Sequence, residues 1–289
     1  MTHSTILPDV SSLLRESLAR FLAEDLGRGD VTTEAIVPEG ATGRAAVFSR
    51  ASAVVCGLDV AGEVFRFLDP AVAWNASAPD GTRISPGERI ASASGDARAL
   101  LSGERVALNL LQRMSGIATA TRRYVDAVEG TGCRVLDTRK TAPGLRALDK
   151  RAVAAGGGAN HRFGLDDGVL IKDNHLAIAG SVAEAVARVR RRAPHLARIE
   201  VEVEDESALR EALAAGADAI LIDNRPPREL AGLVAVARRI RPDVRLEASG
   251  GVTLENVRAY AETGVDFVSI GALTHSVAAV DLAMEISVA

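Results

Sequence analysis

Aromatic residues, cysteines, long apolar runs and an excess of basic charge are all scarce in, or missing from, this sequence. Aromatic side chains make up 3% of its 289 residues, too few to build base-stacking platforms for single-stranded nucleic acid. The formal net charge of −4 provides no general basic field that would attract nucleic acid or an anionic membrane. We therefore expect neither nucleic acid nor a membrane as a partner, and any anion site must be a local cluster of cationic side chains.

The two cysteines, Cys56 and Cys133, are too few for a disulfide framework or a four-cysteine zinc site. Each lies beside apolar, strand-like sequence, so we expect both to be small buried hydrophobic side chains. The N-terminal segment MTHSTILPDV lacks the basic and apolar regions of a signal peptide, and no apolar run reaches membrane-spanning length. These absences predict a cytoplasmic protein.

What is present is the composition of a soluble globular protein, with 47% hydrophobic and 25% charged residues. The first 114 residues mix helical and short strand-like segments, which predicts a small sheet covered by helices. One amphipathic helix is predicted from Leu13 to Leu26. A longer helix is predicted to begin at Ser102, a good N-cap residue, and to end near Val128.

Strand-like and helical segments alternate regularly after Arg134, which predicts parallel strands with right-handed crossovers. Six segments are strand candidates: CRVLD, GVLIK, RIEVEVE, ADAILID, VRLEA and VDFVSI. Because a complete α/β barrel needs eight strands, the pattern favours an incomplete barrel of six to seven strands. An open, doubly wound sheet is the alternative.

Cationic side chains lie at the ends of the first predicted barrel strands or in the connections that follow them. They are Arg139, Lys140, His161, Arg162 and Lys172. The carboxyl ends of barrel strands meet at one face, so we expect these side chains to converge there. Arginine binds carboxylates through two parallel hydrogen bonds, and lysine adds a point charge. Pairing with nearby aspartates is the structural alternative for any one of them, but it is a poor explanation for five together.

Carboxylates follow on the next two strands. Alternation along RIEVEVE places Glu200, Glu202 and Glu204 on one side of the strand, and the valines on the side that faces the helices. Asp223 ends the following strand. Two carboxylates on neighbouring strands suit Mg²⁺, which prefers hard oxygen ligands. A salt bridge to Lys172 or Arg139 is compatible with this role until the metal and substrate bind.

Turns that contain serine and glycine end the last two predicted strands. The residues are Ser249, Gly250 and Gly251 in the first turn and Ser269, Ile270 and Gly271 in the second. Backbone amides in such turns approach anions closely, and barrels often bind phosphate at this corner. The two turns therefore predict a phosphate site.

Several longer segments are distinctive in their order: EDLGRGDVTT, LSGERVALNLLQRMSGIATAT, DTRKTAPGLRALDKRAVAAGGGANHRFGLDDGVLIKDNH, EVEVE, LIDN, EASGG and SIGALTH. Together they closely resemble the quinolinate phosphoribosyltransferase family, from about Glu24 to His275. The block from TRKTAPGLR to IKDNH is highly specific. The departures are minor: Ala142 stands where threonine is expected, and Arg225 where an apolar residue is commoner.

The resemblance implies an N-terminal α/β sandwich domain (1–114), an incomplete α/β barrel (115–274) and a C-terminal segment (275–289) that packs on the first domain. It also implies a homodimer, or a higher oligomer, with a shared active site to which the neighbouring subunit contributes Arg105. Taken alone, Arg105 in the first turn of the predicted helix would oppose the helix dipole unless an anion lies near. The substrates implied are quinolinate and phosphoribosyl pyrophosphate, and the cofactor is Mg²⁺.

The family's residue roles carry over as expectations. Arg105, Arg139, His161, Arg162 and Lys172 would meet the quinolinate carboxylates. Thr138 and Lys140 would contact substrate, with Lys140 serving the phosphoribosyl pyrophosphate. Its Mg²⁺ would bind Glu202 and Asp223, and its 5′-phosphate would bind the two glycine turns. Lys140, Lys172, Glu202 and Asp223 are the expected catalytic group.

The implied activity is phosphoribosyl transfer to quinolinate with decarboxylation, which yields nicotinate mononucleotide for NAD biosynthesis. One alternative is a homologue on the same scaffold that acts on another substrate. A second is a phosphosugar-binding barrel without catalysis, which would need the glycine turns but neither Glu202 nor Asp223.

Overall fold

The structure is a computed structural model, and it describes residues 10–288. Contacts divide these residues into unit 1 (10–119, 143–156 and 277–288) and unit 2 (120–142 and 157–276). The N-terminal stretch in which we predict no signal peptide lies outside the described residues up to position 9. No helix in the described range is long and apolar enough to cross a membrane.

Unit 1 is built on an antiparallel four-stranded sheet. Its strands are β1 (Thr42–Ser49), β3 (Ala73–Ala76), β5 (Arg89–Asp96) and β12 (Leu282–Val288), in the order β12-β1-β5-β3. A second, two-stranded sheet pairs β2 (Ala53–Val54) with β4 (Arg83–Ile84). Its helices are α1 (Val10–Leu26), α2 (Val31–Ile36), α3 (Leu58–Leu68), α5 (Arg146–Ala155) and the first part of α4 (Ala97–Ala127).

Alternation along β1 buries every second side chain on the helix-covered face. On that face Phe65 of α3 stacks on Trp74 of β3, with ring centroids 5.4 Å apart. The small Gly103 of α4 leaves room for Phe65, because a Cβ there would lie 3.0 Å from its ring. The predicted small sheet covered by helices is confirmed.

Helix α4 begins at Ala97, so the prediction that Ser102 caps it is wrong. The cap is Asp96, whose Oδ1 accepts a 2.8 Å hydrogen bond from the Ala99 amide. The Ser102 hydroxyl instead donates to Asp30 Oδ2 at 3.0 Å. Arg105 therefore lies in the third turn of the helix, and the argument from an unfavourable helix dipole does not apply to it.

Unit 2 is built on a parallel six-stranded sheet. Its strands are β6 (Arg134–Leu136), β7 (Val169–Ile171), β8 (Ile199–Val203), β9 (Ala219–Asp223), β10 (Arg245–Ser249) and β11 (Phe267–Ser269), in the order β6-β11-β10-β9-β8-β7. Its helices are α6 (Asp173–Ala179), α7 (Val182–Arg192), α8 (Glu206–Ala214), α9 (Pro227–Ile240), α10 (Val257–Ala261) and α11 (Ala272–His275), together with the last turns of α4.

All six predicted strands of this unit are confirmed, and they form an incomplete barrel. One cavity is lined by residues from, or directly following, every one of the six strands, which an open flat sheet does not allow. Strands β6 and β7 are at opposite ends of this order and do not pair with each other in the described structure, and an isolated bridge joins Leu136 of β6 to Ala159 in the connection between them. The barrel is therefore incomplete at the β6–β7 edge, where the connection carrying His161 lies.

Both cysteines are free and buried, as predicted. Burial raises the pKa of the Cys133 thiol to about 12 and raises that of Cys56 still further, so neither thiol is a nucleophile at neutral pH.

Candidate active site

A cavity of about 630 Å³ opens at the carboxyl ends of the barrel strands of unit 2. It is lined by Thr138, Arg139, Lys140, His161, Arg162, Leu170, Lys172, Glu202, Leu221, Asp223, Asn224, Glu247, Ser249, Gly250, Gly251 and Ser269. The strand order explains why residues distant in the sequence meet here, since parallel barrel strands all end at the same face. The predicted convergence of cations and carboxylates is therefore what the structure shows.

Arg139 and Arg162 are cationic side chains that form no ion pair within the described residues. Within the described residues, Arg139 forms no ion pair, and its buried Nε has no hydrogen-bond partner. Arg162 donates to the Gly168 carbonyl at 2.9 Å and not to a carboxylate. Burial, and then the neighbouring Arg139 charge, lower the pKa of Arg162. The charges of Asp167 and Glu200 oppose this shift, but neither carboxylate forms an ion pair with Arg162 among the described residues. Two adjacent guanidinium groups without a directly paired carboxylate favour an anionic ligand.

Lys172 is held by an ion pair with the neighbouring strand β8. Its Nζ lies 2.5 Å from Glu202 Oε2, which is the salt bridge considered in the sequence. At the base of the side chain, the Lys172 amide donates to His175 Nδ1 at 2.9 Å. His175 is therefore hydrogen-bonded to the backbone and orients this turn.

Asp223 lies at the end of β9 beside Glu202 of the neighbouring strand β8. The Asn224 side-chain amide donates to Asp223 Oδ2 at 2.7 Å and so orients the carboxylate. Asn224 has a φ of 51°, a left-handed conformation that asparagine tolerates better than most residues. Arg225, the departure from the family pattern, points to the rim, where it lies 3.5 Å from Glu204 and 3.7 Å from Glu229.

The first glycine turn is shaped to receive an anion. Gly250 and Gly251 have φ values of 87° and 66°, a region that favours glycine. Neither amide donates a hydrogen bond within the described part of the chain. These free amides at the mouth of the cavity form a small concave donor group of the kind that binds phosphate.

The second glycine turn differs from the first in the contacts that Ile270 and Gly271 make. The Ile270 amide donates to the Leu136 carbonyl at 3.0 Å, so it is already used inside the barrel. Gly271 is a point of close approach, because a Cβ there would lie 2.9 Å from Lys140 Cδ and 3.0 Å from His275 Nε2. Ser269 lines the cavity, whereas Ile270 and Gly271 do not.

Lys140 is placed by contacts of its backbone. Its amide donates to Thr138 Oγ1 at 3.0 Å, and its carbonyl accepts from the Thr274 hydroxyl at 2.8 Å. The last contact joins the β6 end to α11 and brings His275 beside the Lys140 side chain. Nothing in the sequence singles out His275, because Lys140 is distant from it along the chain.

His161 and Arg162 are positioned by the fully buried Asp137. Asp137 Oδ1 accepts from the His161 amide at 2.8 Å, and Oδ2 accepts from the Asn160 side chain at 2.6 Å. One carboxylate just after β6 thus holds both Asn160 and His161 of the GGGANHR connection. In the sequence Asp137 stood out only as a possible counter-ion.

Arg105 belongs to unit 1, where it is exposed on α4. It is not one of the residues that line the cavity of unit 2. Asp137, Asn224 and Glu247, which sequence reasoning did not select, lie at the site because neighbouring strands bring them there. Their only signal in the sequence was a polar residue within or just after an apolar strand.

We expect Gly250→Ala to damage this site. The substitution puts a side chain on a left-handed residue, at a cost of about 1–2 kcal/mol, and its Cβ would overlap Asn224 Oδ1. Displaced Asn224 would release Asp223, so KM for the phosphate-bearing substrate should rise about tenfold and Tm should fall. Steady-state kinetics and thermal unfolding measure both effects. Gly232→Ala on α9, which meets no atom within 4 Å, is the control, and equal effects in both variants would contradict the interpretation.

Comparisons with known proteins agree with this geometry. The family model for the C-terminal domain of quinolinate phosphoribosyl transferase matches residues 117–285, and the model for its N-terminal domain matches residues 30–115. A probable carboxylating nicotinate-nucleotide pyrophosphorylase of Bacillus subtilis is 46% identical over 274 residues, covering 95% of this chain and 93% of the relative. The carboxylating nicotinate-nucleotide pyrophosphorylase of Mycobacterium leprae is 47% identical over 279 residues, covering 94% and 96%. The crystal structure of NadC from Streptococcus pyogenes superposes with a TM-score of 0.92 at 37% identity, covering 99% of this chain and 100% of that one.

Proposed function

The chain belongs to the quinolinate phosphoribosyltransferase family, and from this premise we infer that it transfers the phosphoribosyl group of phosphoribosyl pyrophosphate to quinolinate. Pyrophosphate and CO₂ leave, and nicotinate mononucleotide enters NAD biosynthesis. The observation that carries this function is the cavity in which Arg139 and Arg162 lie near each other and neither forms an ion pair with a described carboxylate. A doubly ionised, planar dicarboxylate matches two such planar guanidinium groups.

The quinolinate carboxylates would bind at the side of the cavity formed by Arg139, Arg162 and Lys172. Each arginine offers parallel N–H donors to a carboxylate, and Lys172 offers a charge that Glu202 holds in place. His161 contributes to the wall, but both of its ring nitrogens are hydrogen-bonded to protein atoms. It therefore shapes the pocket and does not supply a free cation.

Phosphoribosyl pyrophosphate would bind across the other side of the mouth. The free amides of Gly250 and Gly251 suit its 5′-phosphate, and Lys140 suits its pyrophosphate. Glu202 and Asp223 fit Mg²⁺, since they are hard oxygen donors on adjacent strands and Asn224 orients the second. When bound, Mg²⁺ supplies positive charge that offsets the charge of the departing pyrophosphate.

In the first chemical step the quinolinate nitrogen forms a bond to C1 of the ribose while the bond to pyrophosphate breaks. The protein's contribution is positioning, because Arg139 and Arg162 fix the ring and the glycine turn fixes the sugar phosphate. In the second step the bond from C2 to its carboxylate breaks, CO₂ leaves, and C2 gains a proton. The electron pair at C2 is stabilised by the adjacent ring nitrogen, now positively charged, and by the cationic wall that includes Lys172.

A homodimer with a shared site is part of the proposal. Apolar side chains are exposed on segments that follow the cavity-lining residues, with Leu165 71% and Ile178 85% exposed. Unit 1 also exposes Val31 and Ile36 of α2, at 80% and 73%. We propose that a second copy covers these side chains and that, as the family resemblance implies, the exposed Arg105 reaches the neighbour's quinolinate in that dimer.

The direct test combines the purified protein with quinolinate, phosphoribosyl pyrophosphate and Mg²⁺. Nicotinate mononucleotide, pyrophosphate and CO₂ should form in equal amounts, and chelation of the metal should stop the reaction. A preference for nicotinate over quinolinate would show a different homologue on this scaffold. Binding without pyrophosphate release would show a barrel that binds phosphosugars without catalysis.

A further inference from the structure

Below the cavity, the barrel interior contains a cluster formed by His161, Glu200 and Glu247. His161 Nε2 lies 3.1 Å from Glu200 Oε2 and 3.7 Å from Glu247 Oε2. A second cavity of about 200 Å³ reaches the cluster from the opposite side of the barrel, and both cavities are lined by His161, Arg162 and Glu247. The cluster is therefore the floor of the active site.

The hydrogen bonds of His161 define its charge. Its Nδ1 accepts a 2.7 Å hydrogen bond from the Arg162 amide, so this nitrogen carries no proton. The proton of the neutral ring is then on Nε2, which donates to Glu200. With its proton on Nε2, this nitrogen has no lone pair for a metal, so the three groups are not a metal site despite their proximity.

Glu247 has the surroundings of an un-ionised acid. The residue is 3% exposed, and its Oε1 is buried without a hydrogen-bond partner among the described residues. The Oε1 atom of an ionised carboxylate in that position would be desolvated without a hydrogen-bond donor. Burial, and then the negative charge of Glu200, raise the pKa of Glu247 to about 8. The Ser269 hydroxyl opposes this shift by a smaller amount, and His161 would oppose it only as a protonated ring, which its hydrogen bond from the Arg162 amide disfavours.

The other titratable or charged groups around Glu247 do not change this conclusion. They are Asp137 after β6, Cys133 before it, and Arg162, Arg198 and Arg245 on the wall of the second cavity. Asp137 adds negative charge and acts in the same direction as Glu200. Arg245 is already paired with Asp266 at 3.0 Å, Arg198 is exposed, and the Arg162 guanidinium donates to the Gly168 carbonyl. Among the described residues, none of these three arginines forms an ion pair with Glu247.

We propose that Glu247 carries a proton when quinolinate binds, and that this neutral floor is a condition for binding the dianion. The inference rests on the proposed function, because it assumes quinolinate as the ligand. With Glu247 neutral, four cationic side chains line the cavity, Arg139, Lys140, Arg162 and Lys172, against the two carboxylates Glu202 and Asp223. Ionised Glu247 would place a third negative charge directly beneath the ligand, where water does not screen it.

The test is KM for quinolinate as a function of pH, in the wild type and in Glu247→Gln. The sign follows from the raised pKa: the binding-competent, neutral form predominates below pH 8 and is lost above it. With a pKa of about 8, the neutral fraction falls about tenfold from pH 7 to pH 9, so the wild-type KM should rise about tenfold. Glutamine is neutral at every pH in this range, so KM for quinolinate in Glu247→Gln should be nearly the same at pH 7 and at pH 9.

The KM measurements stop at pH 9, because lysine and arginine ordinarily keep their charge up to that pH. Glu262→Gln, on an exposed residue paired with Arg258, is the control and should keep the wild-type dependence on pH. The same tenfold rise in Glu247→Gln would overturn the proposal, as would a wild-type KM that does not change.

A measurement on the wild type alone covers the case in which Glu247→Gln does not fold. In protein with ¹³C-labelled glutamate carboxyl groups, one resonance should titrate with a midpoint near pH 8. If no glutamate titrates above pH 6.5, Glu247 is ionised and the proposal is wrong. If the enzyme turns over no quinolinate, the proposed function fails, while this titration still decides the protonation of Glu247.

Discussion

Glu202→Gln is expected to lower kcat/KM about a thousandfold, which is the scale for removing a group that organises charge in an active site. Glutamine has nearly the same shape, but it neither neutralises Lys172 Nζ, 2.5 Å away, nor provides a charged ligand for Mg²⁺. The concentration of Mg²⁺ at half-maximal rate should therefore also rise. Steady-state kinetics at several Mg²⁺ concentrations measure both effects.

Glu204→Gln is the matched control, because Glu204 lies two residues further along the same segment and is exposed at the rim near Arg225. It should keep nearly the wild-type kcat/KM. Lys172→Met separates the two roles of Glu202, since it removes the ion pair and leaves the oxygen ligands in place. Its Mg²⁺ requirement should stay close to that of the wild type. An unchanged Mg²⁺ requirement in Glu202→Gln would contradict the metal role.

Arg139→Lys is expected to raise KM for quinolinate about a hundredfold with a smaller change in kcat. Lysine keeps the charge but loses the planar pair of donors, and the loss of a charge-assisted hydrogen bond costs about 1.5–3 kcal/mol. Arg139 has no protein counter-ion among the described residues, so the effect should fall on ligand binding and not on folding. KM for both substrates and Tm provide the measurements.

Arg210→Lys, on the exposed face of α8, is the control for the chemical change, because Arg210 pairs only with Glu206 on its own helix in the described structure. Its kinetics should be those of the wild type. If Arg139→Lys binds quinolinate normally but binds phosphoribosyl pyrophosphate poorly, Arg139 belongs to the other half of the site. If it mainly lowers Tm, its role is structural.

Much of unit 2 was predictable because local patterns determine it. The alternation along RIEVEVE placed Glu202 in the cavity and Val201 and Val203 among the buried side chains, as observed. Parallel strands end at one face, so Arg139, Lys172 and Asp223 converged as expected. The start of α4 was predicted wrongly, since both Asp96 and Ser102 are good N-cap residues and only Asp96 lies where the helix begins.

The roles of individual polar groups were less predictable, because they depend on contacts between strands. The second glycine turn looked equivalent to the first, yet the Ile270 amide is bonded to Leu136 while those of Gly250 and Gly251 are free within the described residues. Likewise, Glu247 in VRLEA read as one polar residue in a strand. Its neighbours, Glu200 and His161, are 47 and 86 positions away in the chain.

The sequence by itself determined the order of the strands and helices along the chain and the face of each strand to which a side chain points. It also determined which charged residues meet at the barrel mouth. These features were predictable because periodicity and strand direction are local properties. Only the tertiary structure decided which charges are compensated. Lys172 is paired, Arg139 is not, and Glu247 is surrounded by groups that favour its neutral form. The physical reason is that desolvation and Coulomb energies depend on distances across the barrel, and those distances are fixed only when all six strands have packed.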